Sequence, residues 1–323
     1  MDPRGFCRQS RLVIVAGKGG VGKTTVSAAL ARMAARAGLS ALVVEVEGKG
    51  GLATAFDAPD LDYDEQVLSP ASGNGTGTGE VRARTITPDE ALVEYLEDHG
   101  LRRLSRRLVR SGAVDVVATS TPGIKDILVL GKVKQLERDE AADLIVLDAP
   151  AAGHAVRFLM SAEGLLDAVS VGPIRDQAED VLDMLTDSTR CQVLLVTLPE
   201  ETPVNEVVET AYALEDKVGL SLGPVVVNGL YPVLDGLDTD PEAAAAAAGV
   251  SLRPSEADAL RAAAAFRARR QELQAEQTAR LAQALALPQL HLPALFDVNV
   301  GLAQIDRLAD ALAAGVERLV TVP

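Results

Sequence analysis

The hydrophobic positions of this 323-residue chain form short apolar runs that alternate with amphipathic stretches of helical period. The runs are rich in β-branched residues and too short for helices, so they predict buried strands. Alternation of such strands with helices predicts a parallel sheet covered on both faces. We therefore expect an α/β fold with a doubly wound, mainly parallel sheet. The predicted strands are 12–16, 41–46, 144–147, 191–197 and 224–227, with a last strand at 290–292.

Three further segments have recognisable local patterns. Residues 81–86 alternate between apolar and polar positions and predict a short edge strand. Residues 87–90, Thr-Pro-Asp-Glu, form a capping box with proline at the first helical position, so a helix is expected through Tyr95. A long helix rich in alanine and arginine is expected over 255–286.

The domain organisation is predicted to be simple, because no internal repeat or linker divides the chain. We expect a single domain over 1–323, with a mostly helical subregion around 88–140. The polar, glycine-rich segment 71–80 predicts a mobile surface loop. The arginines and leucines of 101–110 are interpreted as a solvated amphipathic face.

The first predicted strand leads into a glycine-rich segment with the spacing G-x-x-x-x-G-K-[ST]. Because a strand precedes the segment and a helix follows it, the spacing predicts a P-loop whose backbone N–H groups bind phosphate oxygens. Lys23 is expected to reach the β- and γ-phosphates, and the Thr24 hydroxyl to bind Mg²⁺. The predicted nucleotide-binding residues of this loop are Gly17, Gly19, Gly20, Val21, Gly22, Lys23, Thr24 and Thr25.

Lys18 directly follows the first glycine of the loop. A lysine at this position resembles the deviant P-loop of dimeric ATPases such as MinD, ParA, nitrogenase iron protein and the arsenite-pump ATPase. The resemblance implies that Lys18 crosses a dimer interface to the nucleotide of the partner. Lys18 therefore joins Lys23 among the candidate catalytic residues; the alternative is a solvated loop charge.

Composition limits the partners and the compartment. The net charge of −15 argues against a nucleic-acid partner, because phosphate backbones are bound by basic surfaces. The only cysteines, Cys7 and Cys191, form no C-x-x-C pair and indicate no disulfide framework. The N-terminal segment lacks the apolar core of a signal peptide, and no apolar run approaches the roughly 20 residues of a membrane span. We therefore expect a soluble cytoplasmic protein.

Polar side chains follow three of the predicted strands where each strand ends. They are Glu47, Asp148 and Asn228. Ligands of doubly wound sheets bind beyond the carboxyl ends of the strands, so these side chains are expected at the nucleotide site. Asp148 follows a fully apolar run and predicts a Walker B acid that holds Mg²⁺ directly or through water. The alternative for Asp148 is an acid that only terminates a strand.

A family resemblance is carried by residues 147–159, which read LDAPAAGHAVRFL. They resemble the D-T-A-P-T-G-H-x-x-R-[FL]-L segment of the arsenite-pump and tail-anchored-protein-targeting ATPases. Segments at 122–124, around Asn228 and at 292–296 fall where that family has its P-G-[IM], V-V-N and L-P-L segments. The resemblance covers most of the chain.

The resemblance implies a P-loop NTPase that binds ATP and Mg²⁺ in a nucleotide-sandwich dimer, closed by ATP and reopened by hydrolysis. By position, Gly153 would donate a backbone N–H to the γ-phosphate, Asn228 would read the adenine edge and Pro293 would line the adenine pocket. Glu47 falls where the family has the aspartate that orients the attacking water, so it is the third candidate catalytic residue.

The chain also departs from that family. Glu47 is one methylene longer than the usual aspartate, and the chain lacks the third thiol of an arsenite site, a zinc-binding C-x-x-C and a Met-rich client-binding insertion. We expect an ATP-hydrolysing dimeric switch coupled to a protein or membrane-protein partner, as a homodimer or as a heterodimer with a paralogous ATPase. The alternatives are a regulatory ATP-binding subunit with weak hydrolysis and a MinD- or ParA-like positioning ATPase.

Overall fold

The structure is a computed structural model, and it describes most of the chain. The described residues are 1–46, 50–71, 78–98, 100–103, 105, 123–150 and 152–319. Within these residues the strands are β1 Leu12–Gly17, β2 Ala41–Val46, β3 Gln66–Ser69, β4 Val81–Ile86, β5 Leu144–Asp148, β6 Cys191–Thr197, β7 Val225–Leu230 and β8 Gln289–Pro293. The helices are α1 Pro3–Cys7, α2 Lys23–Arg36, α3 Gly51–Ala55, α4 Pro88–Asp98, α5 Ile124–Arg138, α6 Ala152–Ala168, α7 Pro173–Thr186, α8 Glu201–Val218, α9 Pro241–Ala247, α10 Pro254–Ala284 and α11 Leu302–Glu317.

The strands form one sheet in the order β3-β4-β2-β5-β1-β6-β7-β8. Every neighbouring pair is parallel except β3 and β4, which are antiparallel. β1 lies between β5 and β6, so its carboxyl end meets residues from both sides: Val15 is level with Asp148, and Gly17 with Val196. This sheet confirms the predicted α/β fold, and it places the P-loop beside the end of β5.

Helices cover both faces of the sheet, which explains why the predicted strands are apolar throughout. Every residue of β1 is buried, with Ile14 in the hydrophobic core on one face and Val13 and Val15 in the core on the other. The first core is closed mainly by α4 to α8, and the second by α1, α2, α3 and α11. Strands buried on both faces lose the polar alternation of exposed sheets, so they are easily recognised as apolar runs.

The prediction that 81–86 is an edge strand is wrong. β4 has β2 on one side and the antiparallel β3 on the other, so β3 is the edge. β3 was missed because only Ser69 among its residues is buried, which leaves the strand without an apolar pattern. The alternation of β4 was also weak evidence for an edge, because five of its six residues are buried.

The end of β7 also differs from the prediction. The sequence suggested that this strand ends at Asn228, whereas β7 continues to Leu230, with an irregular register against β8. The predicted N-cap contact before α4 is present: the Glu90 backbone N–H donates to Thr87 Oγ1 over 3.3 Å, and the Thr87 hydroxyl donates to Glu90 Oε2 over 2.6 Å. α4 then continues beyond Tyr95 to Asp98, because Leu96 extends its buried face.

Two predicted regions are described only in part. Residues 72–77 of the predicted loop lie outside the described residues, whereas Glu80 accepts a backbone hydrogen bond of 2.8 Å from Ala41. The predicted helical subregion contains α4 and α5, and 106–122 between them also lie outside the described residues. Among the helices that the structure describes, none is both long and apolar enough to cross a membrane.

The two cysteines are buried on opposite faces of the sheet, Cys7 at 1% and Cys191 at 0% exposure. Burial raises the pKa of the Cys7 thiol to about 12 and also raises the pKa of Cys191. Protonated, inaccessible thiols react slowly, so we expect neither cysteine to react with Ellman's reagent at pH 8 until urea unfolds the chain. Rapid release of one thiol equivalent from the folded protein would contradict this expectation.

Candidate functional site: a P-loop at the carboxyl edge of the sheet

The P-loop connects the end of β1 to the start of α2. β1 ends at Gly17, and α2 begins at Lys23 after the N-cap residue Gly22. Gly22 has φ +91°, and no side chain caps the helix N-terminus. The first N–H groups of α2 therefore have no capping side chain and face the loop, as a phosphate-binding helix terminus requires.

Two glycines of the loop are required by packing as well as by phosphate access. A Cβ on Gly17 would lie 2.3 Å from the Val196 carbonyl oxygen, and a Cβ on Gly22 would lie 2.4 Å from Asn228 Nδ2. At Gly17 the close atom is backbone, so any larger residue would displace the loop from β6. At Gly22 a larger residue would push the Asn228 side chain away from the loop, and the positive φ of Gly22 also disfavours a side chain. The neighbouring Gly20, with φ +85°, has no atom within 4 Å of the same position.

Lys23 is almost completely buried in the loop. The residue is 8% exposed. Its Nζ donates a hydrogen bond of 3.1 Å to the Lys18 carbonyl oxygen. The ammonium group therefore lies inside the curve of the P-loop. A cation held in this place is suited to bind phosphate oxygens as they enter the loop.

The end of β5 brings a carboxylate to the first turn of α2. Asp148 is fully buried, and its Oδ2 accepts a hydrogen bond of 2.6 Å from Thr24 Oγ1. The second carboxylate oxygen accepts a longer bond of 3.3 Å from Ser27 Oγ. The hydrogen bond brings together the two residues that the sequence predicts to bind Mg²⁺, whereas Ser27 was not predicted.

These donors fit Mg²⁺, which prefers hard oxygen ligands and keeps several waters when it binds with substrate phosphates. A hydroxyl and a carboxylate are already in contact here, so two protein oxygens converge at the helix N-terminus. The described residues contain no group of three or more histidine, cysteine or acidic side chains that would hold a metal alone. This arrangement suits a metal that is completed by nucleotide oxygens rather than a closed structural site.

Glu45 is a buried acid that sequence reasoning did not assign to the site. It is 1% exposed, and it is level with Asp148 on the neighbouring strand. Residues level on adjacent parallel strands point to the same face, so Glu45 and Asp148 both face α2. The signal in the sequence was a single acid inside the apolar run of β2.

The remaining predicted residues lie at the same edge of the sheet where the structure describes them. Asn228 Nδ2 donates to the Val21 carbonyl oxygen over 2.9 Å, so β7 is tied to the P-loop. Pro293 ends β8 level with Leu230 of β7. Gly153 lies in the first turn of α6, directly after β5, and Glu47 lies outside the described residues.

Lys18 has a partner that the sequence did not indicate. Its Nζ lies 2.6 Å from Glu206 Oε1, on the second turn of α8. Each side chain of this ion pair is 37% exposed. The two lysines of the loop therefore differ: Lys23 is buried in the loop, and Lys18 is engaged by an acid near the surface.

The parallel sheet and its P-loop define the class of protein as a P-loop nucleotide hydrolase. A family model described as anion-transporting ATPase matches residues 10–171. ATPase BagA of Mycobacterium tuberculosis is 35% identical over 322 residues, which cover 94% of this chain and 92% of that protein. The arsenical pump-driving ATPase of Escherichia coli is 27% identical over 68% of this chain and 35% of its own length. ATPase get3 of Schizosaccharomyces japonicus is 29% identical over 46% of this chain and 42% of its own length.

The chain belongs to the anion-transporting ATPase family. The family confirms the resemblance carried by residues 147–159 and the predicted binding and hydrolysis of ATP. The match at 10–171 contains the P-loop, Asp148 and Gly153, so the matched region includes both chain segments that meet at the Thr24–Asp148 hydrogen bond.

Proposed function

We propose that this ATPase is a Mg²⁺-dependent switch in which ATP closes two chains on each other and hydrolysis reopens them. The observation that carries the proposal is the different placement of the two P-loop lysines. Lys23 is buried inside the loop, where it serves its own nucleotide, whereas Lys18 lies at the surface on the α8 side. A partly exposed lysine beside the phosphate site is available to a nucleotide held by a second chain.

In this proposal each residue of the P-loop and of the end of β5 has its own role in binding the nucleotide and the metal. Lys23 and the N–H groups at the start of α2 bind and orient the phosphates, while the Thr24 hydroxyl and the Asp148 carboxylate hold the metal. Mg²⁺, when bound, would neutralise charge on the phosphate oxygens. Glu47 orients the attacking water.

The other predicted residues complete the nucleotide site. Gly153 donates its N–H to the γ-phosphate, Asn228 reads the adenine edge and Pro293 lines the adenine pocket. Asn228 lies at the same edge of the sheet as the P-loop, where its amide group donates to the Val21 carbonyl oxygen. We also propose that 1–323 form one ATPase domain, since β1 to β8 share a single sheet. The conformational change is coupled to a protein or membrane-protein partner.

Mass measured by light scattering tests the dimeric switch. With Mg²⁺ and a non-hydrolysable ATP analogue, we expect the mass to double from the 33.7 kDa of one chain. Lys18→Ala should remain monomeric, because it removes the cation that reaches the partner's nucleotide. The matched control is Lys217→Ala, which removes an exposed lysine from the last turn of α8 and should dimerise normally.

A monomer under every condition would contradict the homodimer. The partner would then be a different chain, and a paralogous ATPase would be the first one to add. Doubling of the mass without nucleotide would instead contradict the switch, because the interface would not depend on ATP.

A further inference from the structure

The ion pair between Lys18 and Glu206 joins the P-loop to α8, the helix that follows β6 in the chain. β6 is the neighbour of β1, and α8 begins soon after it, so the first turns of α8 lie beside the loop. Lys18 Nζ and Glu206 Oε1 are 2.6 Å apart. This distance is that of a short charge-assisted hydrogen bond.

Glu206 is presented from a well-packed helix. Val204 and Val207 on either side of it are 1% and 3% exposed, so this turn of α8 is anchored in the core. The Thr210 hydroxyl donates to the Glu206 carbonyl oxygen over 2.7 Å, one turn further along. The backbone that carries the Glu206 carboxylate is therefore anchored in the core.

Lys18 makes a contact through its side chain and another through its backbone. Its ammonium group is paired with Glu206, and its carbonyl oxygen accepts the hydrogen bond from Lys23 Nζ. A nucleotide phosphate that approaches the Lys18 ammonium group competes with Glu206 for this cation, because the phosphate and the carboxylate carry like charges and repel each other. Phosphate and Glu206 are thus alternative acceptors for the same lysine.

We propose that Glu206 is a positioning residue that holds Lys18 on its own chain, and that Lys18 exchanges Glu206 for a nucleotide phosphate when the ATP-bound state forms. The inference rests on the proposed function, in which Lys18 contacts phosphate. Glu206 then sets the ATP concentration at which the switch closes. Loss of a partly exposed ion pair typically changes an equilibrium by up to about fivefold, which is the expected size of this effect.

The experiment is a titration with a fluorescent, non-hydrolysable ATP analogue and Mg²⁺ at one low and one high concentration of the full chain. Glu206→Gln should bind the analogue about two- to fivefold more tightly, because the competing acceptor is gone. Glu206→Asp, which keeps the charge, should return toward the wild-type affinity. The control is Glu209→Gln, an exposed acid on the next turn of the same helix, with the same change in net charge.

The Lys18→Ala background distinguishes loss of the ion pair from the loss of general repulsion between the Glu206 carboxylate and the negatively charged analogue. In that background Glu206→Gln should have no effect on affinity, because no lysine remains to be released. In the wild-type background the effect should shrink as salt is raised, since the ion pair is partly exposed and screened. A gain in affinity at both protein concentrations identifies the chain's own nucleotide as the acceptor of Lys18. A gain in affinity only at the high concentration identifies the partner's nucleotide as the acceptor.

Three results would overturn the inference: wild-type affinity of Glu206→Gln at both concentrations, an equal gain in the Lys18→Ala background, or an equal gain from Glu209→Gln. If Lys18→Ala by itself binds the analogue and dimerises like the wild type, the proposed role of Lys18 fails and the inference falls with it. If Lys18→Ala is impaired while Glu206→Gln is neutral, only the inference fails.

Discussion

Replacement of Lys23 by alanine is expected to lower kcat for ATP hydrolysis by about 10²–10³-fold, the typical loss when one preorganised charge-stabilising group is removed from an active site. Lys23 is almost completely buried at the start of α2, and its ammonium group lies within the P-loop. No other lysine or arginine of the described P-loop lies in that position, since Lys18 is paired with Glu206. Phosphate release at saturating ATP and Mg²⁺ measures the change.

The control for Lys23→Ala is again Lys217→Ala, which should hydrolyse ATP at the wild-type rate. Circular dichroism and thermal unfolding should show that both variants fold. A folded Lys23→Ala protein that retains more than about a third of the wild-type rate would contradict the role of Lys23 in the loop, because such a loss is far below the effect of a preorganised cation.

Replacement of Asp148 by asparagine is expected to raise the Mg²⁺ concentration for half-maximal ATP hydrolysis by about 10–100-fold, as groups that orient a metal and its ligands typically do. The substitution keeps the shape of the side chain, so the Thr24 hydroxyl can still donate to an oxygen at the end of β5. What is lost is the negative charge in a fully buried position. Titration of Mg²⁺ at saturating ATP measures the shift.

The control for this variant is Asp183→Asn, which removes one exposed acid from α7, outside the P-loop and β5. It should leave the Mg²⁺ dependence unchanged. An Asp148→Asn protein with the wild-type Mg²⁺ requirement would show that Asp148 only terminates β5 and accepts hydrogen bonds from α2. A lower rate at every Mg²⁺ concentration, with the same midpoint, would contradict a role in holding the metal as well.

Most strands of the sheet could be predicted because they are buried on both faces. β1, β5 and β6 lie at the centre, and their residues are nearly all apolar. The pattern failed at the margins, where β3 is partly exposed and β7 continues through Asn228 beyond its apolar run. Local hydrophobicity therefore identifies central strands well and the ends and edges of a sheet poorly.

The candidate site divides in the same way. The P-loop residues were recognised from their spacing, because one short segment must provide the glycines, the lysine and the hydroxyl of a phosphate site. Glu206 was missed because it lies among several acids of an ordinary amphipathic helix. Glu45 was not assigned to the site because a single acid in a strand does not reveal which residue of the neighbouring strand will lie level with it.

The sequence by itself determined the local chemistry of this protein: a strand, a phosphate-binding loop and a helix in succession, and an acid at the end of a second apolar strand. Only the tertiary structure decided which distant groups meet that loop. Thr24 and Asp148 are 124 positions apart, Lys18 and Glu206 are 188 apart, and Asn228 and Val21 are 207 apart. Such contacts depend on the order of strands in the sheet, which is set by the packing of the whole core and not by the spacing of residues along any one segment.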